Sequence, residues 1–232
     1  MEDTSFEGLA GAIDCAIEWP ETPVRGWALV LHPHPLHGGA RDNKIVTTIA
    51  RACVQSGLVA VRPDFRGVGA SAGEFDNAVG ETLDMRELVR QFTQRYPQAA
   101  AGKWLLAGFS FGTAVAAQLY SMLEQETHEA QADAGVPSAT PEEGADASRG
   151  VLPGALVLVG TAVRRFEFRE VVVPGNTLLI HGESDEVVPF AEAVDFARAH
   201  DLPVVMVPDA SHFFHGKLIL LRRLVQDYLL TL

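Results

Sequence analysis

Lys103–Ala116, KWLLAGFSFGTAVA, constrains this chain more than any other stretch. An apolar run of strand length, Lys103–Gly108, passes directly into Gly108-Phe109-Ser110-Phe111-Gly112 and then into an apolar helical pattern over Phe111–Leu123. A strand that becomes a helix across one residue must turn very tightly. Small residues two positions either side of Ser110 are what such a turn requires, because chain segments crowd there. The turn lifts the Ser110 hydroxyl clear of the strand. It also aims the start of the helix, with its free N–H groups, at the same point. A serine so placed reads as a nucleophile; the alternative is a packing turn with an incidental serine.

The rest of the chain supplies a setting for that turn. Gly26–Leu31, Leu58–Arg62, Ala155–Val159, Thr177–Ile180 and Pro203–Val207 are short apolar runs that read as strands. Asn43–Gln55, Glu81–Arg95, Phe190–His200 and Lys217–Leu232 carry apolar residues at helical spacing. Continuous apolar strands alternating with helices imply an α/β fold, with a mainly parallel sheet covered on both faces. The length of 232 residues suits a single domain over 1–232. His128–Gly150 breaks the pattern: it has no large apolar residue beyond Val136 and reads as a disordered surface insertion.

Charge and cysteines exclude several classes. The net charge is −12, of which −6 comes from seven acids and Arg149 between Ser121 and Gly150. An acidic chain repels phosphate backbones, so no nucleic acid partner is expected. Cys15 and Cys53 form no CxxC and read as free, buried thiols. The acidic N-terminus lacks the apolar core of a secretory signal, and no run approaches membrane-spanning length. The expectation is a cytoplasmic protein that does not engage a membrane.

With G-x-S-x-G between a strand and a helix, the chain resembles the α/β-hydrolase superfamily over nearly its whole length. The resemblance implies an acid after a later strand, then a histidine near the C-terminus. After Thr177–Ile180 comes His181-Gly182-Glu183-Ser184-Asp185-Glu186-Val187-Val188-Pro189, similar to the family's acid loop, with Asp185 at the matching position and Glu183 and Glu186 as competitors. After Pro203–Val207 comes Ser211-His212-Phe213-Phe214-His215-Gly216, where His212 fits the family's histidine and His215 is the alternative. The resemblance thus implies Ser110, Asp185 and His212 as catalytic residues.

His32-Pro33-His34-Pro35-Leu36-His37-Gly38-Gly39 poses a separate question. His32 and His34 are two apart, so they would share one face of a strand, as some zinc sites require. No acid or cysteine ligand follows nearby, and no metal is expected. The loop instead follows an early central strand, where the family places one donor of its oxyanion hole. Pro33 and Pro35 have no N–H, which leaves His34 and Leu36. The resemblance favours His34, with Leu36 second. The other donor is expected to be the N–H of Phe111.

Pro63-Asp64-Phe65-Arg66-Gly67-Val68-Gly69-Ala70-Ser71 is similar to the D-x-R-G-x-G-x-S signature of a compact branch of the superfamily, and Arg66 there is expected to buttress loops by ion pairing. Together the motifs resemble small, cap-less bacterial hydrolases near dienelactone hydrolase, with serine where that enzyme uses cysteine. Only Gly160–Asn176 separates two strands where relatives insert a lid, so an open cleft is expected. Phe109, Phe111, Phe213 and Phe214 line its walls or belong to the core. The resemblance implies a serine carboxylesterase acting on small to medium acyl esters, without a cofactor, as a monomer or homodimer. The rivals are a thioesterase or small peptidase using the same residues, and a binding protein with lapsed catalysis.

Overall fold

The computed structural model of the protein describes residues 1–134 and 152–232. An eight-stranded sheet among these residues has the order β1-β2-β4-β3-β5-β6-β7-β8. Its strands are β1 (Glu2–Gly8), β2 (Gly11–Glu18), β3 (Gly26–Leu31), β4 (Leu58–Pro63), β5 (Lys103–Phe109), β6 (Ala155–Val159), β7 (Leu178–Gly182) and β8 (Val204–Val207). From β4 to β8 every neighbouring pair is parallel; β1 and β2 form an antiparallel hairpin at one edge. The helices are α1 (Lys44–Gln55), α2 (Val79–Arg95), α3 (Pro97–Ala100), α4 (Phe111–Ala134), α5 (Phe190–Ala199) and α6 (Leu218–Leu230). This is the α/β-hydrolase fold that the motifs imply.

Alternation along the strands divides the core in two, because successive side chains point to opposite faces. Trp27, Leu29 and Leu31 of β3 pack with Leu88 and Phe92 of α2, Val115 and Leu119 of α4, and Phe196 of α5. Ala28 and Val30 face the other way, against Ile45 and Ile49 of α1 and Leu221 and Val225 of α6. Both faces are therefore covered, and the strands read as unbroken apolar runs. Trp27 anchors the larger face: its ring stacks on Trp104 at 4.8 Å and on Phe92 at 4.3 Å. Each fully buried large side chain of this kind contributes roughly 1.5–3 kcal/mol.

Register decides where the loops emerge. Leu31 lies opposite Gly108, Phe109 opposite Val159, and Gly182 opposite Val207. The C-terminal ends of β3, β5, β6, β7 and β8 therefore share one edge of the sheet. The HPHP loop, Ser110, Gly160, Asp185 and His212 all follow from that edge.

Three differences from the sequence reading have physical causes. The β1–β2 hairpin was not expected: β1 is an edge strand in which only Phe6 is buried, so it carries no apolar run. β7 begins one residue later than Thr177 and continues to Gly182, which takes His181 into the strand. Helix α4 runs to Ala134, so the first part of the 128–150 segment, read as disordered, is helix. Its Ala- and Glu-rich composition supports helix without a core to bury against. The rest of that segment lies outside the described residues. Among the described residues no helix is long and apolar enough to cross a membrane.

Candidate active site

Ser110 sits between β5 and α4 with φ = +53°. That left-handed conformation is rare for a residue with a side chain and is tolerated where the surroundings enforce it. Its N–H donates to Val159 O at 2.9 Å, and its carbonyl accepts from Thr113 N–H at 2.9 Å. Thr113 Oγ1 also donates to Ser110 O, and accepts the Ala162 N–H at 2.9 Å. Thr113 thus ties the turn to the loop after β6, a role the sequence reading missed. Two glycines make the turn possible. A Cβ at Gly108 would lie 2.2 Å from Gly112 O, and one at Gly112 would lie 2.5 Å from Leu31 O. Backbone cannot yield as a flexible side chain can. Gly108→Ala is expected to cost about 3 kcal/mol or more in urea unfolding, with Gly175→Ala, which meets no atom within 4 Å, near neutral.

His212 reaches Ser110 from the loop after β8. Its Nε2 lies 3.0 Å from Ser110 Oγ, and its Nδ1 lies 2.7 Å from Asp185 Oδ2. An ionised carboxylate only accepts, so Nδ1 carries the hydrogen and Nε2 is left with a lone pair facing the hydroxyl. Asp185 Oδ1 accepts from the N–H groups of Val187 (2.9 Å) and Val188 (2.7 Å). Burial alone would push the Asp185 carboxyl up. The hydrogen bonds from His212, Val188 and Val187 outweigh it and hold the group below its ordinary value.

The competing residues serve the same loop differently. Glu183 Oε2 accepts the N–H of Asp209 at 3.1 Å, and Glu186 Oε2 accepts the N–H of His212 at 3.1 Å. Both carboxylates grip the backbone of the histidine loop rather than the imidazole. His215 pairs with Ser211 Oγ at 3.2 Å and is exposed. Arg66 does buttress loops: its Nε lies 2.8 Å from Asp84 Oδ2. Asp84 in turn accepts the N–H of Leu9 in the β1–β2 turn.

The histidines after β3 build a loop. His32 is fully buried; its Nε2 accepts the Phe65 N–H at 2.9 Å, so Nδ1–H donates to Pro33 O at 2.7 Å. Burial pulls its pKa down to about 4, against the opposing effect of the Pro33 bond. Both ring nitrogens are engaged by backbone. The His34 ring accepts the Leu36 N–H at 3.2 Å and stacks on His37 at 4.4 Å. Leu36 lies in a 3-10 turn, Pro35–His37, and its N–H is taken up by the His34 ring that caps the turn. The N–H groups of His34 and Phe111 make no hydrogen bond among the described residues.

A hydroxyl, an imidazole and a carboxylate are thus aligned on three loops of one sheet edge. The serine hydrolase (FSH1) family matches residues 72–215, more than half of the chain and a span that contains all three of those residues. The chain belongs to that family. As an FSH1-type serine hydrolase it is also similar to an α/β serine hydrolase without a lid from Xanthomonas campestris. The two are 31% identical, with 99% of this chain and 94% of that one covered and a TM-score of 0.79. An α/β serine hydrolase homologue from Coxiella burnetii is 33% identical, with 97% and 96% covered and a TM-score of 0.76. An uncharacterised protein of Rickettsia prowazekii is 28% identical over all of this chain and 90% of its own length.

The hydrolase has no lid among its described residues; the β6–β7 connection holds only a 3-10 turn, Val163–Arg165. Its aromatic residues divide between wall and core. Phe214 is core. Phe109 is also fully buried, with its ring 4.9 Å from that of His212. Phe213 is 41% exposed and meets the His212 ring edge-on at 5.1 Å. Phe111 is buried but joins two half-buried rings. Phe166 lies 4.9 Å and Phe75 5.4 Å from it, and both approach His34. Nothing local marks Phe166, which reaches the site from the β6–β7 connection.

Proposed function

We propose that this serine hydrolase is a carboxylesterase acting on small to medium acyl esters. The observation that carries the reading is the line from Ser110 Oγ through His212 to Asp185, at 3.0 and 2.7 Å. A serine hydroxyl is a weak nucleophile at neutral pH, so His212 Nε2 takes its proton as Oγ attacks the acyl carbonyl. Asp185 holds the imidazole's tautomer and stabilises the imidazolium. The tetrahedral oxyanion receives the N–H groups of Phe111 and His34. Collapse expels the alcohol with the proton from His212. A water activated by the same imidazole then releases the acid from Ser110.

One feature supports an ester over an acyl-CoA thioester. A phosphorylated carrier calls for free cations beside the cleft. Of the three clustered candidates, Arg41 is held by Asp14 at 3.0 Å and lies near Asp3 and Asp64, and Arg66 is held by Asp84, which leaves the exposed Lys44 alone of the three without an ion pair among the described residues. The open, aromatic-rimmed site suits an uncharged acyl group, in an ester or a thioester alike. The test is hydrolysis of p-nitrophenyl esters from acetate to dodecanoate, together with fluorophosphonate labelling. Turnover with a chain-length optimum is expected. A folded wild type that shows neither turnover nor labelling would overturn the reading.

The assignment of His34 has its own test. The His34 backbone is at φ −54°, ψ 120°, which proline also adopts. His34→Pro removes the N–H and the ring, and His34→Ala removes the ring alone. With both variants melting near wild type, kcat is expected to fall roughly 10²–10³-fold in H34P and within about tenfold in H34A.

A further inference from the structure

His181 is fully buried at the end of β7 and takes no part in the chemistry above. Its Nε2 lies 2.8 Å from Val188 O and 3.3 Å from Asp185 Oδ2. Both neighbours accept, so Nε2 carries the hydrogen and Nδ1 is a bare lone pair. That buried Nδ1 has no hydrogen-bond partner among the described residues. A ring of carbon would fill the space without leaving a nitrogen orphaned. What only the imidazole supplies is the Nε2–H. Burial pulls the His181 pKa below its ordinary value, against the Val188 carbonyl and the charges of Asp185 and Glu192, so the group acts as a neutral donor.

The bond to Val188 O has a consequence for Asp185. The same turn supplies the two N–H groups that hold Asp185 Oδ1. With Val188 anchored by its carbonyl and Oδ1 anchored by the turn, Oδ2 is left facing His212 Nδ1. We infer that His181 is a positioning residue for Asp185: its Nε2–H anchors the turn at Val188 and flanks Oδ2, so that the carboxylate is held in line with His212. The inference rests on the proposed roles of Ser110, His212 and Asp185.

The test compares wild type, His181→Phe and His181→Gln. Phenylalanine fills the site without a donor, and glutamine returns an N–H at similar reach. Two readouts are used: turnover of p-nitrophenyl acetate, and the low-field proton resonance of the His212–Asp185 hydrogen bond. In folded H181F, kcat is expected to fall on the order of 10- to 100-fold with KM within about twofold, and the resonance to broaden or move upfield. H181Q is expected to recover most of both. Wild-type kcat and resonance in folded H181F would overturn the inference. So would an H181Q as impaired as H181F, since that assigns His181 to packing alone. If H181F does not fold, His181→Met, which also lacks a donor, takes its place under the same criteria. A wild type without esterase activity would sink the proposed function, while the resonance would still decide whether His181 positions Asp185.

Discussion

Ser110→Ala is expected to abolish hydrolysis while leaving the fold intact, with kcat lower by about 10⁶-fold. The backbone groups of Ser110 bond Val159 and Thr113, and alanine keeps both. At φ = +53° alanine is no more strained than serine, since each carries a Cβ. The side chain hydrogen-bonds His212 Nε2. Its loss removes the nucleophile and little else, so the melting curve is expected to superimpose on that of the wild type. The three groups act as one unit, so Ser110→Ala combined with His212→Ala is expected to be no slower than Ser110→Ala alone. Initial rates on p-nitrophenyl acetate and a parallel thermal melt check both points. Retention of near wild-type rate by the single variant would remove Ser110 from the mechanism.

Asp185→Asn is expected to lower kcat by about 10⁴-fold. The reason lies in the turn. The N–H groups of Val187 and Val188 require an acceptor, so the asparagine oxygen takes the place of Oδ1 and its NH₂ faces His212. An NH₂ cannot accept from Nδ1–H. The imidazole must then carry its proton on Nε2, pointing at Ser110, where it cannot act as a base. Glu183→Gln and Glu186→Gln are expected to stay within about tenfold of wild type, because an amide oxygen still accepts the Asp209 and His212 N–H groups. The comparison separates the acid that faces the imidazole from those that hold its loop. Stability carries a second signature. The Asp185 pKa is lowered in the folded protein, so its stabilisation is complete above the unfolded carboxyl pKa of about 3.9 and is lost as pH falls through the folded value. Melting temperatures of wild type and D185N are expected to converge on acidification.

The turn around Ser110 was legible because its causes are local: a strand-length run, two small residues where backbone crowds, and a helix directly after. The central strands were legible for a related reason, since a sheet covered on both faces makes its strands apolar throughout. The β1–β2 hairpin was not, because an edge strand with one buried side chain leaves almost no apolar signal. Aromatic residues were harder still. Residue type alone left Phe109 and Phe214 open between wall and core, and nothing in the sequence placed Phe166 at the site.

The sequence by itself determined that a serine stands on a forced turn, and that acids and histidines follow two later strands. The resemblance pointed to Asp185 and His212, but the meeting of these two, rather than of Glu183, Glu186 or His215, was decided by the tertiary structure. The contacts involved span 27 and 102 residues of chain. They depend on the register of β5 to β8, which brings the strand ends to one edge, and on the Val187 and Val188 amides, which leave Asp185 Oδ2 free for the imidazole. Short-range propensity carries no information about such a meeting, because it is set by how far each loop reaches once the sheet has formed.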